Sequence, residues 1–541
     1  MSNDSPAADA QRVAMTVADA LIDRLREHNV RFIFGYPGGQ ITPIYDALYR
    51  ERSIRHILAR HEQAAAFMAD GYARATGEPG VCLAVCGPGV YNAATPLATS
   101  FTDSVPVLLI SGQVTSKGLG IRSGFYHEND QLSACSTFTQ WRDRVNSAES
   151  IIPLVDDALG ALTTGRPGPA FLEIPVDILR MECRNSPSSR APAAVSHLTA
   201  NPRKIEALVN LAAGWKKPLL IAGGGVISAG AAPLVVRLAE RLGAPVFHTF
   251  QGKCVMPGDH PLAARLPWSR ATSDLSNMQS FMSPLFAEAD GVLAIGCRFS
   301  QTLTGSWLLK LPRSVAQIDI DADEIGRHYP VTVGIHADAR MALRALLALL
   351  PETQREPWAA IEPVREPTKI LGMDLMTPLR RTLPRDTIIA GDVTQLVYSM
   401  LAEFPMYEPR TFMHPAGFVA MGYGIPAALG AKAAHPDRTV VAIVGDGCFM
   451  MSGMELATAV QEMLPIIIIL INDGSLTLIK SIQGRRYENR FIGVDLVNPD
   501  FQLFANAFGV RSWSVSSESA FQEAMQAALA CGQTALVEVR R

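Results

Sequence analysis

Short apolar runs punctuated by Gly and Pro recur along the chain at intervals that leave room for a helix between them. RFIFGYP (31–37), VCLAVCGPG (81–89), VPVLLISGQ (105–113) and PAFLEIP (169–175) form a first set. A second comprises PLLIAGGGV (218–226), APVFHTF (244–250), GVLAIG (291–296) and VAQIDID (315–321). TIIAGDV (387–393), TVVAIVGDG (439–447), LPIIIILIND (464–473) and ALVEVR (535–540) make a third. Runs of this kind, apolar without alternation, read as strands buried on both faces, with helices returning the chain across a parallel sheet. The pattern predicts an α/β protein of three doubly wound parallel-sheet domains.

Breaks in the pattern place the borders. Residues 185–202, rich in Ser, Ala and Pro, read as an exposed linker, and the Pro- and Glu-containing stretch 351–367 as a second. The expected domains are therefore 1–184, 203–350 and 368–541, the first and third similar enough in size and pattern to be distant copies of one fold. The longest apolar run, 464–471, is strand-sized and far short of the roughly 20 residues of a membrane helix. No basic stretch followed by an apolar one opens the chain, so a cytoplasmic location is expected. A net charge of −3 supplies no basic field for nucleic acid, which leaves a small molecule as the expected ligand. Eight cysteines without Cys-x-x-Cys spacing read as free thiols.

Candidate chemistry gathers in two regions. Gly445-Asp446-Gly447 ends one apolar run, and roughly 26 residues later Asn472-Asp473-Gly474 ends the next. Both loops leave strands at their carboxyl ends, where open α/β sheets bind ligands. Asp446 and the Asn472 amide oxygen are hard ligands suited to Mg²⁺, which takes few protein oxygens and fills its shell with phosphate and water. Gly445 and Gly447 permit close approach of the backbone, and a helix expected to begin near Ser452 would aim its amides at an anion. Taken alone, the triplet is equally a turn after a strand. In the first domain, Arg60-His61-Glu62-Gln63 heads a helical stretch, where a Glu can simply serve the helix N-terminus.

Combined, the triplet, the spaced Asn and the Glu62 segment resemble the signature of thiamine-diphosphate enzymes. FGYPGGQITPIYDALY (34–49), RHEQAAAFMADGYARATGEPGV (60–81), CGPGVYNAATPLATSFTDSVPVLLISGQV (86–114) and GRPGPAFLEIPVDIL (165–179) resemble the catalytic subunit of acetolactate (acetohydroxyacid) synthase. GDVTQ (391–395), GFVAMGYGIPAALGA (417–431) and GDGCFMMSGMELATAV (445–460) extend the likeness over nearly the whole chain. The resemblance implies thiamine diphosphate and Mg²⁺ as cofactors, held between a pyrimidine-binding first domain and a diphosphate-binding third. By position it makes Glu62 the carboxyl that activates the cofactor through its aminopyrimidine ring. Asp446, Asn472 and the Gly474 carbonyl become metal ligands, while Gln395, Gly445, Gly447 and Cys448 line the diphosphate. Met421 becomes the wedge that bends the cofactor, with the Val419 carbonyl beside its amino group. The implied reaction is decarboxylation of a pyruvate-like 2-oxoacid and ligation of the resulting enamine to an acceptor carbonyl. Its implied setting is a homodimer or homotetramer with sites between subunits, and a regulatory subunit as a further partner. A 2-oxoacid decarboxylase or aldehyde lyase is the alternative. An inactive assembly or regulatory paralogue is a third reading, against which intact Glu62, Asp446 and Asn472 speak.

The departures from the synthase pattern touch the substrate more than the cofactor. Phe125-Tyr126-His127-Glu128 replaces Phe-Gln-Glu in a substrate-facing loop, bringing in an imidazole that can act as proton donor near neutral pH or equally be an inert hydrogen-bonding group. Ser300-Gln301-Thr302 follow Gly296-Cys297-Arg298-Phe299 where the pattern has Asp-Asp-Arg, Ile482 stands opposite a Trp, and Leu396 opposite a His. Gly223-Gly224-Gly225 and Asp319, Asp321 and Glu324 are compatible with FAD or another adenine ligand. The family's Gly-Met-His-Gly segment is nevertheless absent after GDHPL (258–262).

Overall fold

All twelve apolar runs form strands in the computed structural model, which describes residues 15–120, 124–184, 197–266, 283–362 and 366–540. The polar lead (1–14) and most of the first linker (185–196) lie outside the described residues. Every strand pair is parallel, in three sheets of six. The first sheet holds β1 (Phe32–Gly35), β2 (Arg55–Leu58), β3 (Gly80–Ala84), β4 (Val107–Gln113), β5 (Trp141–Arg144) and β6 (Ala170–Pro175), ordered β2-β1-β3-β4-β6-β5. In the second, β7 (Pro218–Ala222), β8 (Val246–His248), β9 (Ala263–Arg265), β10 (Gly291–Ile295), β11 (Val315–Asp319) and β12 (Val333–His336) follow the order β12-β11-β10-β7-β8-β9. That is the arrangement of dinucleotide-binding sheets. The third comprises β13 (Ile388–Gly391), β14 (Phe412–Met413), β15 (Val440–Gly445), β16 (Ile467–Asn472), β17 (Arg511–Val515) and β18 (Ala535–Arg540). Its order, β14-β13-β15-β16-β18-β17, repeats the permutation of the first.

The first and third domains share one core. Helix Glu62–Thr76 lies against helix Gly424–Ala434, and Phe67, Met68 and Tyr72 join Tyr423, Ile425 and Leu429 in a single buried cluster. Two glycines permit this approach: a Cβ on Gly71 would stand 2.2 Å from the Ala427 carbonyl oxygen, and one on Gly430 would stand 1.9 Å from that of Met68. Neither position has room for a methyl group. The relation between the two domains within a chain is thereby fixed.

One local expectation is corrected. The helix after the Gly445-Asp446-Gly447 triplet begins at Asp446 itself, with Gly445 as N-cap, and ends rather than starts at Ser452. The chain passes directly from β15 into this helix, so its first amides already lie at the triplet. All eight cysteines are free, and no described helix is long and apolar enough to cross a membrane.

Candidate functional site

Glu62 is the first residue of helix Glu62–Thr76, and the role of capping that helix is already filled: the His61 Nδ1 accepts from the Gln63 amide at 3.1 Å. The buried Glu62 carboxyl turns instead toward helix Pro88–Asp103, where Asn92 Nδ2 donates to its Oε2 at 3.0 Å. A carboxylate released from capping and held through one oxygen leaves the other for a ligand.

The loop before Glu62 is pinned by the third domain. Both Glu455 carboxyl oxygens lie within reach of the Arg60 amide (3.0 and 3.2 Å), and the Thr458 hydroxyl lies 2.6 Å from Glu455 Oε2 and 3.0 Å from the Leu58 carbonyl. Burial holds the Glu455 carboxyl up at about 7, the Thr458 and Arg60 donors opposing it. The folded protein therefore keeps a proton that the unfolded chain loses near 4.5, and stability must fall as pH rises between those values. Glu455→Gln, which still accepts from Arg60, should flatten this part of the profile, by up to about 3 kcal/mol. Chemical unfolding of both proteins at about pH 5 and about pH 8 checks it; equal pH slopes would contradict the assignment.

In the third domain, the ends of β15 and β16 bring Asp446 and Asn472 together. Asp446 Oδ1 accepts from Gly447 N at 2.8 Å, and Oδ2 from Gly474 N at 2.9 Å. Burial raises the Asp446 pKa, while the Asn498 side chain and these amides oppose the shift. Asn472 Nδ2 donates to the buried Glu538 Oε1 at 2.7 Å, which turns Oδ1 of Asn472 toward Asp446. Asn498 Nδ2 donates to both Asp446 Oδ2 (2.8 Å) and Asn472 Oδ1 (3.0 Å), so the two oxygens converge on one point. A hard oxygen pair converging in this way fits a Mg²⁺ ion. Gly474 has φ +66°, a backbone suited to Gly, and its carbonyl accepts from Leu496 N at 2.8 Å with a second lone pair to spare.

Beside this pair, Met421, Gly447, Met450, Met451, Leu476, Leu496, Val497 and Asn498 line a cavity of about 320 Å³. Every one of these residues belongs to the third domain. A Cβ on Gly447 would come within 2.9 Å of Leu476 Cδ2 and 3.3 Å of Met421 Cε, whereas one on Gly445 would make only ordinary contacts. The Met421 loop is set by Asp392, whose oxygens accept from Val393 N, Gly422 N and Gly424 N, and by Asp103 of the first domain, which accepts from Ala416 N and Gly417 N. Val419 is exposed in that loop, beside Phe418, whose carbonyl accepts from Thr99 Oγ1. Gln395 is exposed at the start of helix Gln395–Glu403. The Cys448 thiol is buried 3.3 Å from the Val393 carbonyl, its pKa pushed well up by burial and by Asp392. Its side chain thus faces the interior.

His127 has φ +69° and stacks on the exposed Tyr126 ring, and its buried Nδ1 has no hydrogen-bond partner among the described residues. It lies against Gly87, immediately before the helix whose Asn92 holds Glu62, so both first-domain candidates sit toward one helix end. Ser300 is the N-cap of helix Gln301–Thr304, and Ile482 lies on helix Thr477–Arg486, no residue of which is buried. A second cavity of about 470 Å³ at the domain junction is lined by Gly224, Gly225, Asp319 and Glu324 together with Arg166 and Arg298. Sequence reasoning missed Asn92, Asp392, Glu455, Asn498 and Glu538, although Asn92, Asp392 and Glu455 lay within the quoted segments 86–114, 391–395 and 445–460.

Known proteins share this architecture. Three models of thiamine pyrophosphate enzymes match: the N-terminal TPP binding domain over residues 15–134, the central domain over 205–346 and the C-terminal TPP binding domain over 392–539. A probable acetolactate synthase large subunit of Methanocaldococcus jannaschii is 35% identical over 97% of this chain and 92% of its own. A probable 2-ketoarginine decarboxylase, AruI, of Pseudomonas aeruginosa is 34% identical over 97% and 94%. In fold, the chain is similar to the thiamine diphosphate-dependent 4-hydroxybenzoylformate decarboxylase of Rhodococcus jostii RHA1, with a TM-score of 0.86 at 24% identity, covering 97% of this chain and 99% of that one. With all three domain models and full-length relatives in agreement, the chain belongs to the thiamine pyrophosphate enzyme family.

Proposed function

We propose that this enzyme uses thiamine diphosphate and Mg²⁺ to remove CO₂ from a 2-oxoacid of the pyruvate class and to join the remaining acyl carbon to an acceptor carbonyl. The convergence of Asp446 Oδ2 and Asn472 Oδ1 on one point, beside a cavity wedged by Met421, carries this reading. When bound, the cofactor supplies a nucleophilic carbon and an electron sink for the bond beside the 2-oxo group. Asp446, Asn472 and the Gly474 carbonyl hold the cation against the diphosphate, and Gln395, Gly445, Gly447 and the Cys448 backbone border that end. Met421, which lines the cavity, would pack against the cofactor and exclude water, with the Val419 carbonyl alongside. Glu62, fixed by Asn92 through Oε2, presents Oε1 to the ring nitrogen of the aminopyrimidine, with which it would share a proton.

Two copies complete each site. Among the described residues the cavity beside Asp446 draws no wall from its own first domain, and the apolar side chains of Phe418, Val419, Met450, Met451 and Met454 around it are exposed. A second chain's first domain, bringing its Glu62, covers this surface in our reading. The relatives named as large subunits support a regulatory partner as well. The junction cavity is where FAD or another adenine ligand would lie, and visible absorbance of the purified protein tells them apart.

Release of an aldehyde is the second reading, favoured by the presence of the His127 imidazole beside Gly87, where it would be the proton source in place of an acceptor carbonyl. Product analysis on pyruvate and a panel of other 2-oxoacids, with cofactor and Mg²⁺ added, separates the two. A 2-hydroxy-2-acyl acid of the acetolactate type is the expected product. Aldehyde as the main product selects the second reading, and absence of CO₂ release from every 2-oxoacid overturns both.

A further inference from the structure

Gln131 is wholly buried, and both polar atoms of its side chain are engaged at the carboxyl ends of the first sheet. Its Oε1 accepts from Gly87 N at 2.9 Å, while Nε2 donates to the Gly112 carbonyl in β4 at 2.9 Å and lies 3.4 Å from the Ser111 hydroxyl. One carboxamide therefore joins the turn that follows β3 to the last residues of β4. The residue also opens helix Gln131–Ala134, directly after the loop that carries His127.

The turn held in this way is the bed of both first-domain candidates. A Cβ on Gly87 would stand 3.3 Å from His127 Cβ, and one on Gly89 would stand 3.2 Å from Glu62 Oε1. Two glycines thus leave room for His127 on one side of the turn and for Glu62 on the other. Gly87 has φ +67° and is the N-cap of the helix whose Asn92 holds Glu62. The loop is tied back a second time, because Tyr91 Oη donates to Asn129 Oδ1 at 3.0 Å and Gln113 Nε2 to the Asn129 carbonyl at 3.0 Å. The Tyr91 tie is exposed, where water competes for it; the Gly87 tie is buried, where a lost partner is costly.

We infer that Gln131 is a positioning residue: by fixing its own loop to the Gly87 amide and to the end of β4, it sets the place of His127 relative to Glu62. The inference rests on the reading of His127 as the proton source for aldehyde release. Enclosed on all sides, Gln131 acts through the turn and not on the substrate. A reacting group displaced by roughly 1 Å loses up to about 10²-fold in rate, so a buried tie of this kind bears directly on turnover.

A double-mutant cycle tests action through His127. Gln131→Met keeps the length of the side chain and removes both its donor and its acceptor. Aldehyde formation at saturating concentration of the best 2-oxoacid, thiamine diphosphate affinity and thermal unfolding are measured for wild type, Gln131→Met, His127→Ala and the double variant, with rates corrected for the folded fraction. Gln131→Met should slow aldehyde formation by roughly ten- to a hundredfold, with cofactor affinity within about threefold of wild type. In the His127→Ala background the same change should cost less than about twofold, because the group it positions is gone. The His127 imidazole NMR signal of the cofactor-free protein, identified by its absence in His127→Ala, should also shift. No loss from Gln131→Met, equal losses in both backgrounds, or an imidazole signal that stays in place overturns the inference. A His127→Ala variant that forms aldehyde at the wild-type rate removes the underlying reading, and the inference with it. If Gln131→Met does not fold, Gln131→Glu, which keeps an acceptor for the Gly87 amide, takes its place in the cycle under the same criteria.

Discussion

Glu62→Gln is expected to lower turnover by a factor on the order of 10²–10⁴, the usual reach of one acid–base group, while folding and cofactor affinity stay near wild type. The substitution keeps the shape and the acceptor that Asn92 uses, and it leaves the His61 cap of the helix untouched. What it removes is a proton that can be shared with the aminopyrimidine ring. Turnover on the best 2-oxoacid, thermal unfolding and thiamine diphosphate binding, measured together, separate loss of chemistry from loss of structure. A variant with more than half of wild-type activity would deny Glu62 its role.

Asp446→Ala should abolish Mg²⁺-dependent binding of thiamine diphosphate, because the diphosphate needs a bridging cation and the variant removes its only charged ligand. It also removes the acceptor for the Gly447 and Gly474 amides, so circular dichroism must accompany the binding assay. Tight cofactor binding by the variant with a chelator present would rule the site out. Each variant is inactive for a different reason, and that makes a pair. If each site joins Glu62 of one chain to Asp446 of another, exchange of subunits between Glu62→Gln and Asp446→Ala should restore up to one intact site per mixed dimer. No recovery from verified mixed dimers of folded chains would refute the shared site.

The strands visible in the sequence and those that were not divide by their place in the sheet. All twelve apolar runs are interior strands; the six that passed unnoticed, β2, β5, β9, β12, β14 and β17, are the two edges of each sheet. Interior strands such as β16 are covered on both faces and must be apolar at nearly every position, a demand that leaves a continuous signal. Edge strands such as RHIL and WRDR are partly exposed, short and charged, and their pairing follows from the neighbour that the chain has already placed beside them.

The candidate site divides along the same physical line. Asp446, Asn472 and Glu62 could be proposed from the sequence because each stands at a fixed offset from an apolar run or heads a helix. Their partners were not: Asn92 for Glu62, Glu538 and Asn498 for the metal pair, and Glu455 for the Arg60 loop lie some 26 to 395 residues away along the chain. The helix start at Asp446 and the left-handed backbone of His127 were equally invisible. Hydrophobic periodicity reports how deeply each position is buried, which is local, and so it specifies strands, helices and fold class. Which polar group meets which depends on strand order and on the glycine-mediated contact of two helices, and these exist only once the sheets have formed.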